Sequence, residues 1–236
     1  EIYTLSLHDA LPISIHVATS GQLERLHFCD VSPAVSIRKR TLKRLVSWRA
    51  LSAPSRRIGG PYGGSQQRIY SLDPAARHLM ELRYGTDPHR ARIPRPAYSP
   101  RLVTHALTVT ELYVRCVEAS RVGAFEVLEF QAEPDCWWPL ESGGYLKPDA
   151  YLCAGVPDTE YADHWWVEID LGTIRNRYMR TKFASYTTFE ATGENGPGGV
   201  LPGVLVTTPD NARTTSLRRV VTRLGDPAAA LIHVTP

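Results

Sequence analysis

The sequence predicts an α+β chain in two modules: an N-terminal winged helix-turn-helix and a small mixed β-sheet domain with helices on its faces. Three observations carry this expectation. Residues 14–84 contain a helix, a turn, a second helix, and then two strand-like segments around a Gly-rich loop. Residues 102–236 run in the order α-β-β-β-α-β-α-β, which implies one sheet covered by helices. Between them, residues 85–101 read GTDPHRARIPRPAYSPR. Its prolines rule out a regular helix or a central strand, so the segment reads as an extended basic linker.

In the first module, ATSGQLERLHF forms a short helix capped by Thr19 or Ser20, with Leu23, Leu26 and Phe28 on its apolar side. CDVSP is a turn, and Pro33 starts the next helix. AVSIRKRTLKRLVSWRAL is strongly helical. Ile37, Leu42, Leu45, Val46 and the segment Trp48–Leu51 form its buried stripe. LSAPSRRI and QQRIYSL pair as a hairpin around GGPYGGS, where glycines permit positive φ. Asp73 caps a further helix, PAARHLMELRYG, which ends at Gly85.

Charge singles this module out. The chain has 236 residues and a net charge of only +3. From Val31 to Leu72, however, there is no Asp or Glu. That window carries Arg38, Lys39, Arg40, Lys43, Arg44 and Arg49 on or just after the second helix, and Arg56, Arg57 and Arg68 on the hairpin. Solubility alone does not require acids to be absent across both helix and wing. The pattern fits contact with double-stranded DNA, with the second helix in the major groove and the flanking Arg residues on phosphates. Arg38, Lys39, Arg40, Lys43, Arg44, Arg56, Arg57 and Arg68 are the DNA-binding candidates.

In the second module, LVTHALTVTELYVRCVEASRVG is a long helix. FEVLEFQAE, GYLKPDAYLCAG and DHWWVEIDLG follow as three strands. RNRYMRTKFASYTTFEAT is a helix ending before a Gly-rich loop, VLPGVLVTT a strand, SLRRVVTRLG a helix and ALIHVT a last strand. Asp149 falls on the second of these strands, and Glu168 and Asp170 on the third. Strand side chains alternate, so Glu168 and Asp170 share a face. Asp149, Glu168 and Asp170 together are expected to form a hard-oxygen site suited to Mg²⁺, able to activate water on a phosphodiester. Lys182 and Tyr186, four apart on the next helix, project together and offer a cation and a hydroxyl. The catalytic candidates are Asp149, Glu168, Asp170 and Lys182. His105 and His164 are expected to be structural.

Composition narrows the class. Hydrophobic residues make up 43% and charged residues 22%, as in a soluble globular protein. No segment approaches the ~18 consecutive apolar residues of a membrane span. Cys29, Cys116, Cys136 and Cys153 form no CxxC pair and no zinc spacing, so reduced thiols in a cytoplasmic protein are expected. Residues 1–13, EIYTLSLHDALPI, resemble the translation of a short-read sequencing adapter. Its His8–Asp9 pair is therefore set aside, with the whole stretch, from fold and function.

The chain resembles the plasmid replication-relaxation proteins. The resemblance rests on RKRTLKRL and RIYSLDPAARHLM in the first module, LVTHALTVTELY at the long helix, and LKPDA, WWVEIDLGT and KFASYTTF after it. It implies a DNA-binding role in plasmid replication or mobile-element maintenance, in genomes of the actinobacterial type. The second module is also similar to PD-(D/E)XK nucleases. On that resemblance, Asp149 matches the Asp of PD and Glu168 the Glu of E-x-K. Asp170 stands where the catalytic Lys belongs, and Lys182 would replace that Lys from the helix. Glu111, on the long helix, is a weaker candidate for a fourth acid. Two alternatives stand beside this reading. One is an active Mg²⁺-dependent DNA endonuclease. The other is a regulatory module without catalysis, whose acidic face docks another replication protein.

Overall fold

The computed structural model describes residues 15–30, 32–53, 57–58, 67–84 and 100–236, and it shows an α+β protein in two compact units that divide between Val122 and Gly123. Residues 1–13, Arg56, most of the linker and the GGPYGGS loop lie outside the described residues. Of Arg57, only the backbone is described.

The first unit opens with β1 (Val17–Thr19), which the sequence reading missed because three residues are too short to show a period. Helix α1 (Ser20–His27) follows. Its N-cap is Thr19, whose hydroxyl accepts from the Gln22 backbone N–H at 3.2 Å while Gln22 Oε1 accepts from the Thr19 N–H at 2.9 Å, a reciprocal capping box. Helix α2 (Ala34–Ser47) starts after Pro33, which sits at the N-cap. Three short strands follow: β2 (Leu51–Ser52), β3 (Arg57–Ile58) and β4 (Gln67–Leu72). β4 is the hub of the sheet and pairs antiparallel with β1, β2 and β3. α3 (Pro74–Tyr84) is capped by Asp73, whose Oδ1 accepts from the Ala75 N–H at 3.0 Å.

The expected stripe of α2 is only partly buried. Leu42 is inside, Ile37, Leu45 and Val46 are half-buried, and Trp48 is 65% exposed, with the Arg44 guanidinium 5.0 Å from its ring centre. A small core of Val17, Ile69 and Val103 holds the sheet to α4 (Pro100–Arg121).

α4 corrects the expected boundary. Its place in the sequence, a helix before three strands, suits an α-β-β-β order and points to the second module. In the structure it packs on α1 and β1 and belongs to the first unit. Thr110 Oγ1 donates to the Val17 carbonyl at 2.6 Å. Arg25 of α1 grips Glu118 with two N–H groups, at 2.7 and 2.6 Å, and reaches Glu111 at 2.7 Å. Planar guanidinium and carboxylate groups match in this way, which pins α4 to α1.

The second unit is a five-stranded sheet in the order β11-β10-β9-β8-β5. β5 (Glu126–Ala132), β8 (Ala150–Gly155) and β9 (Ala162–Ile169) form an antiparallel meander. β10 (Gly203–Thr207) and β11 (Ile232–Thr235) add in parallel. A two-stranded hairpin, β6 (Trp138–Pro139) with β7 (Tyr145–Leu146), is inserted before β8. Pro148 and Asp149 break the expected single strand GYLKPDAYLCAG, since Pro cannot donate within a ladder.

α5 (Asn176–Thr192) and α6 (Asn211–Thr222) pack on one another, and α7 (Asp226–Leu231), which was not expected, packs on both. The core is Trp166, Phe183, Tyr186, Phe189, Leu217, Val204 and Val206, all essentially inaccessible. α5 ends at Gly193, whose φ of 71° is the left-handed C-terminal cap that glycine adopts without strain. No helix among the described residues is long and apolar enough to cross a membrane.

Candidate functional site

Two places gather chemistry, one in each unit. In the second unit, the β8–β9 pairing places Asp149, just before β8, against the end of β9. The Asp149 N–H donates to the Val167 carbonyl at 3.0 Å, and its Oδ2 accepts from the Ile169 N–H at 2.7 Å. Glu168 lies on β9 and points to α5, because even-numbered positions of β9 face the helices along with Trp166. Lys182 reaches back from α5. Its Nζ lies 2.6 Å from Glu168 Oε2 and 3.5 Å from Asp149 Oδ1. Tyr186, one turn on, donates its hydroxyl to Glu168 Oε1. Lys182 and Tyr186 thus hold the two oxygens of one carboxylate, as their i,i+4 spacing allows.

This carboxylate is only 2% exposed. Burial, reinforced by the neighbouring Asp149 charge and opposed by Lys182 and Tyr186, pushes the Glu168 carboxyl up to about 8. Burial works against the Lys182 ammonium, but Glu168 and Asp149 outweigh it and hold Lys182 above its ordinary value. The two tendencies compete, since a raised acid favours a neutral pair and a raised lysine a charged one. Below about pH 8 the carboxyl holds its proton and the 2.6 Å contact is a hydrogen bond donated by the ammonium; above it the contact is a charged pair. Burial and the Glu168 charge also drive the Tyr186 hydroxyl well up, so it stays protonated and donates to Glu168.

Asp170 departs from expectation. It shares the face of Glu168, but it lies one residue past the end of β9 and is held by α6. Its Oδ1 accepts from the Gly172 N–H at 2.9 Å, and its Oδ2 is paired with Arg213 Nε. Arg213 is fixed in turn by Asn176 Oδ1 at 2.5 Å and the Ile174 carbonyl at 2.7 Å. The oxygens of Asp149, Glu168 and Asp170 do not all come within 4.8 Å of one another. The three-carboxylate Mg²⁺ site expected from the sequence therefore does not fit this arrangement. Asp170 serves an ion pair with Arg213, while the Lys182 ammonium contacts both Asp149 and Glu168. Glu111 is likewise engaged in its own unit by Arg25 and Gln22.

Glu133 was missed. It follows β5, its N–H donates to the Asp149 carbonyl at 2.9 Å, and a carboxylate oxygen lies within 4.8 Å of one of Asp149. Only the register Ala132↔Ala150 brings it there, and no motif marks it.

In the first unit, a cavity of about 680 Å³ lies between the start of α1, one face of α2 and the start of β4. Its lining includes Gly21, Arg38, Lys39, Lys43, Gln67 and Arg68. Lys39 and Lys43 are four apart on α2, so they stand together on its exposed side. Lys39, Arg40, Lys43 and Arg68 are exposed and have no ion-pair partner among the described residues.

Arg38 differs. It is mostly buried, paired with Glu24, and donates to the Ser20 carbonyl at 3.3 Å, so it ties α2 to α1. Gln67 Oε1 accepts from the Gly21 N–H at 3.1 Å, an approach that a Cβ at Gly21 would block at 2.8 Å. The loss of acids seen in the sequence thus becomes a concave basic surface.

The fold and these two sites define a two-unit α+β protein with an exposed basic face on one unit and a buried carboxylate–lysine cluster on the other. A profile of the replication-relaxation family matches residues 14–204, and the chain belongs to that family. Membership supports a role in plasmid replication or mobile-element function. No curated protein and no solved structure matches the chain.

Proposed function

We propose that the protein binds duplex DNA in plasmid replication, with the first unit acting as a winged helix-turn-helix. One observation carries the reading: Lys39, Lys43 and Arg68, none with an ion-pair partner among the described residues, converge on one cavity that lies between α2 and the strand leaving the hairpin. Unpaired cations on a concave surface repel one another, and a phosphate backbone relieves that repulsion while releasing counterions. α2 is the helix that enters the major groove, and Arg40 and Arg44 extend its basic side. Fluorescence anisotropy with a labelled duplex tests this. Affinity is expected to fall steeply between about 50 and 200 mM salt, and a Lys39→Glu, Lys43→Glu double substitution to weaken it at least tenfold at low salt. Binding that ignores both salt and substitution would overturn the reading.

A second reading concerns the second unit: a nuclease-like domain acting on phosphodiesters. It is favoured by Lys182, whose Nζ meets Glu168 and Asp149 from the helix although E-x-D replaces E-x-K on the strand. A cation delivered from the helix supplies the charge that the strand lacks. Plasmid nicking by the wild type with added Mg²⁺, absent in an Asp149→Ala, Glu168→Ala protein, is the expected result. Equal nicking by both would remove this reading.

A further inference from the structure

The second unit segregates its charges in a way that neither site explains. Apart from Lys147, every Lys and Arg of residues 123–236 lies on or caps α5 or α6, while the only acid within those two helices is Glu190, in the last turn of α5. The remainder of the unit is acidic. Some of these cations have internal roles: Lys182 in the carboxylate cluster, Arg213 on Asp170, and Arg218 on the Val234 carbonyl at 2.8 Å.

The first half of α5 is different. Arg175, Arg177 and Arg180 are exposed, and none has an ion-pair partner among the described residues. They sit at the N-terminal end of a 17-residue helix with no acid in its first turn. The positive end of the helix macrodipole disfavours cations there. Stability therefore does not account for them. Tyr178, between them, is 56% exposed, and its ring carries the Arg177 guanidinium at 4.7 Å. Tyr178 also stands one turn before Lys182, so the two share an edge of the helix.

We infer that the exposed start of α5 is a second nucleic-acid contact: Arg177 and Arg180, three apart on one side of the helix, hold backbone phosphates with Arg175 at its N-cap, and Tyr178, on the adjoining side, offers a face for a base to stack on. Positive side chains that track a backbone beside an exposed aromatic are the usual equipment for holding a nucleic-acid strand. The inference rests on the nucleic-acid reading above, but on different residues in a different unit.

The test uses the full chain and labelled single-stranded and duplex oligonucleotides. The Lys39→Glu, Lys43→Glu protein is the background, and Arg177→Glu, Arg180→Glu are added to it. The background protein is expected to retain weak, salt-dependent binding. The added reversals are expected to abolish it, and Arg177→Gln, Arg180→Gln to lower its log–log salt slope by about 2, as for two lost phosphate contacts. Removing cations from the positive end of the helix is expected to leave the melting temperature unchanged or raised, which separates lost contact from lost fold. Wild-type binding with none in the background protein, or equal binding with and without the α5 substitutions, overturns the inference and leaves the first-unit reading standing. Absence of binding by the wild type overturns both.

Discussion

Lys39 and Lys43 on α2 and Lys182 on α5 are the same residue type on the same kind of helix, yet the two units use them in opposite ways. On α2 the ammonium groups are exposed around a cavity, with no ion-pair partner among the described residues. On α5 the ammonium is folded inward between Glu168 and Asp149, under a core that includes Trp166, Phe183 and Tyr186. The difference lies in what surrounds each helix. α2 is held mainly by Leu42 and half-buried residues, so its cations cost the fold little and are available to a partner. α5 buries Met179, Phe183, Tyr186 and Phe189, which draws the adjoining Lys182 and Tyr186 against a strand carboxylate. Cations of the first kind are exposed to solvent, and those of the second kind are held against buried carboxylates.

That contrast can be broken by substitution, beginning with the largest effect. Lys182→Met leaves Glu168 and Asp149 without their cation and is expected to destabilise the second unit by about 3 kcal/mol, at the low end for a buried pair because Lys182 is partly exposed. Hydrogen-exchange protection of β9 and α5 peptides reads this directly, and a loss below about 1 kcal/mol would mean the cluster is not structural. Tyr186→Phe removes one hydrogen bond to a buried carboxylate and should cost about 2 kcal/mol by the same measurement. Thr19→Ala breaks the α1 capping box and should cost about 1 kcal/mol, confined to the first unit. Lys39→Glu with Lys43→Glu should move stability by less than about 0.5 kcal/mol each while removing most duplex affinity. If these two instead destabilise the first unit as strongly as Lys182→Met does the second, the comparison fails.

A pH series sharpens the comparison. Glu168 sits at about 8 in the folded protein against an ordinary 4.5. Between these values the folded protein holds a proton that the unfolded chain has released. Its contribution is therefore complete below about pH 4.5 and is lost as pH rises through about 8. Urea midpoints for the second unit should decline over that window, and Glu168→Gln should flatten the decline. The first-unit midpoint should carry no such component from Glu168.

Much of this was legible in the chain. The capping signal at Thr19, the strands at 126–132 and 162–169, and the helix ended by Gly193 follow from local rules of caps, alternation and glycine. The acid-free window from Val31 to Leu72 marked the basic face before any fold was known. The meeting of Lys182 with Glu168 was partly legible too, since Lys182 and Tyr186 share a helix edge.

Other features were decided by contacts between distant residues. Asp170 was grouped with Glu168 by strand alternation, but Arg213, 43 residues further on, takes its carboxylate. Glu133 joins Asp149 only through the β5–β8 register. Arg38 looked like one more surface cation until Glu24 engaged it. The long helix at 100–121 was placed in the wrong unit, because its Glu111 and Glu118 answer to Arg25 on α1 and its order in the chain says nothing of that. By itself the sequence determined which segments are helix or strand and where charge accumulates, because those depend on neighbours within a few residues. Tertiary structure decided which charges are paired and which remain for a ligand, because an ion pair needs two groups within a few ångströms and their separation along the chain does not report that distance.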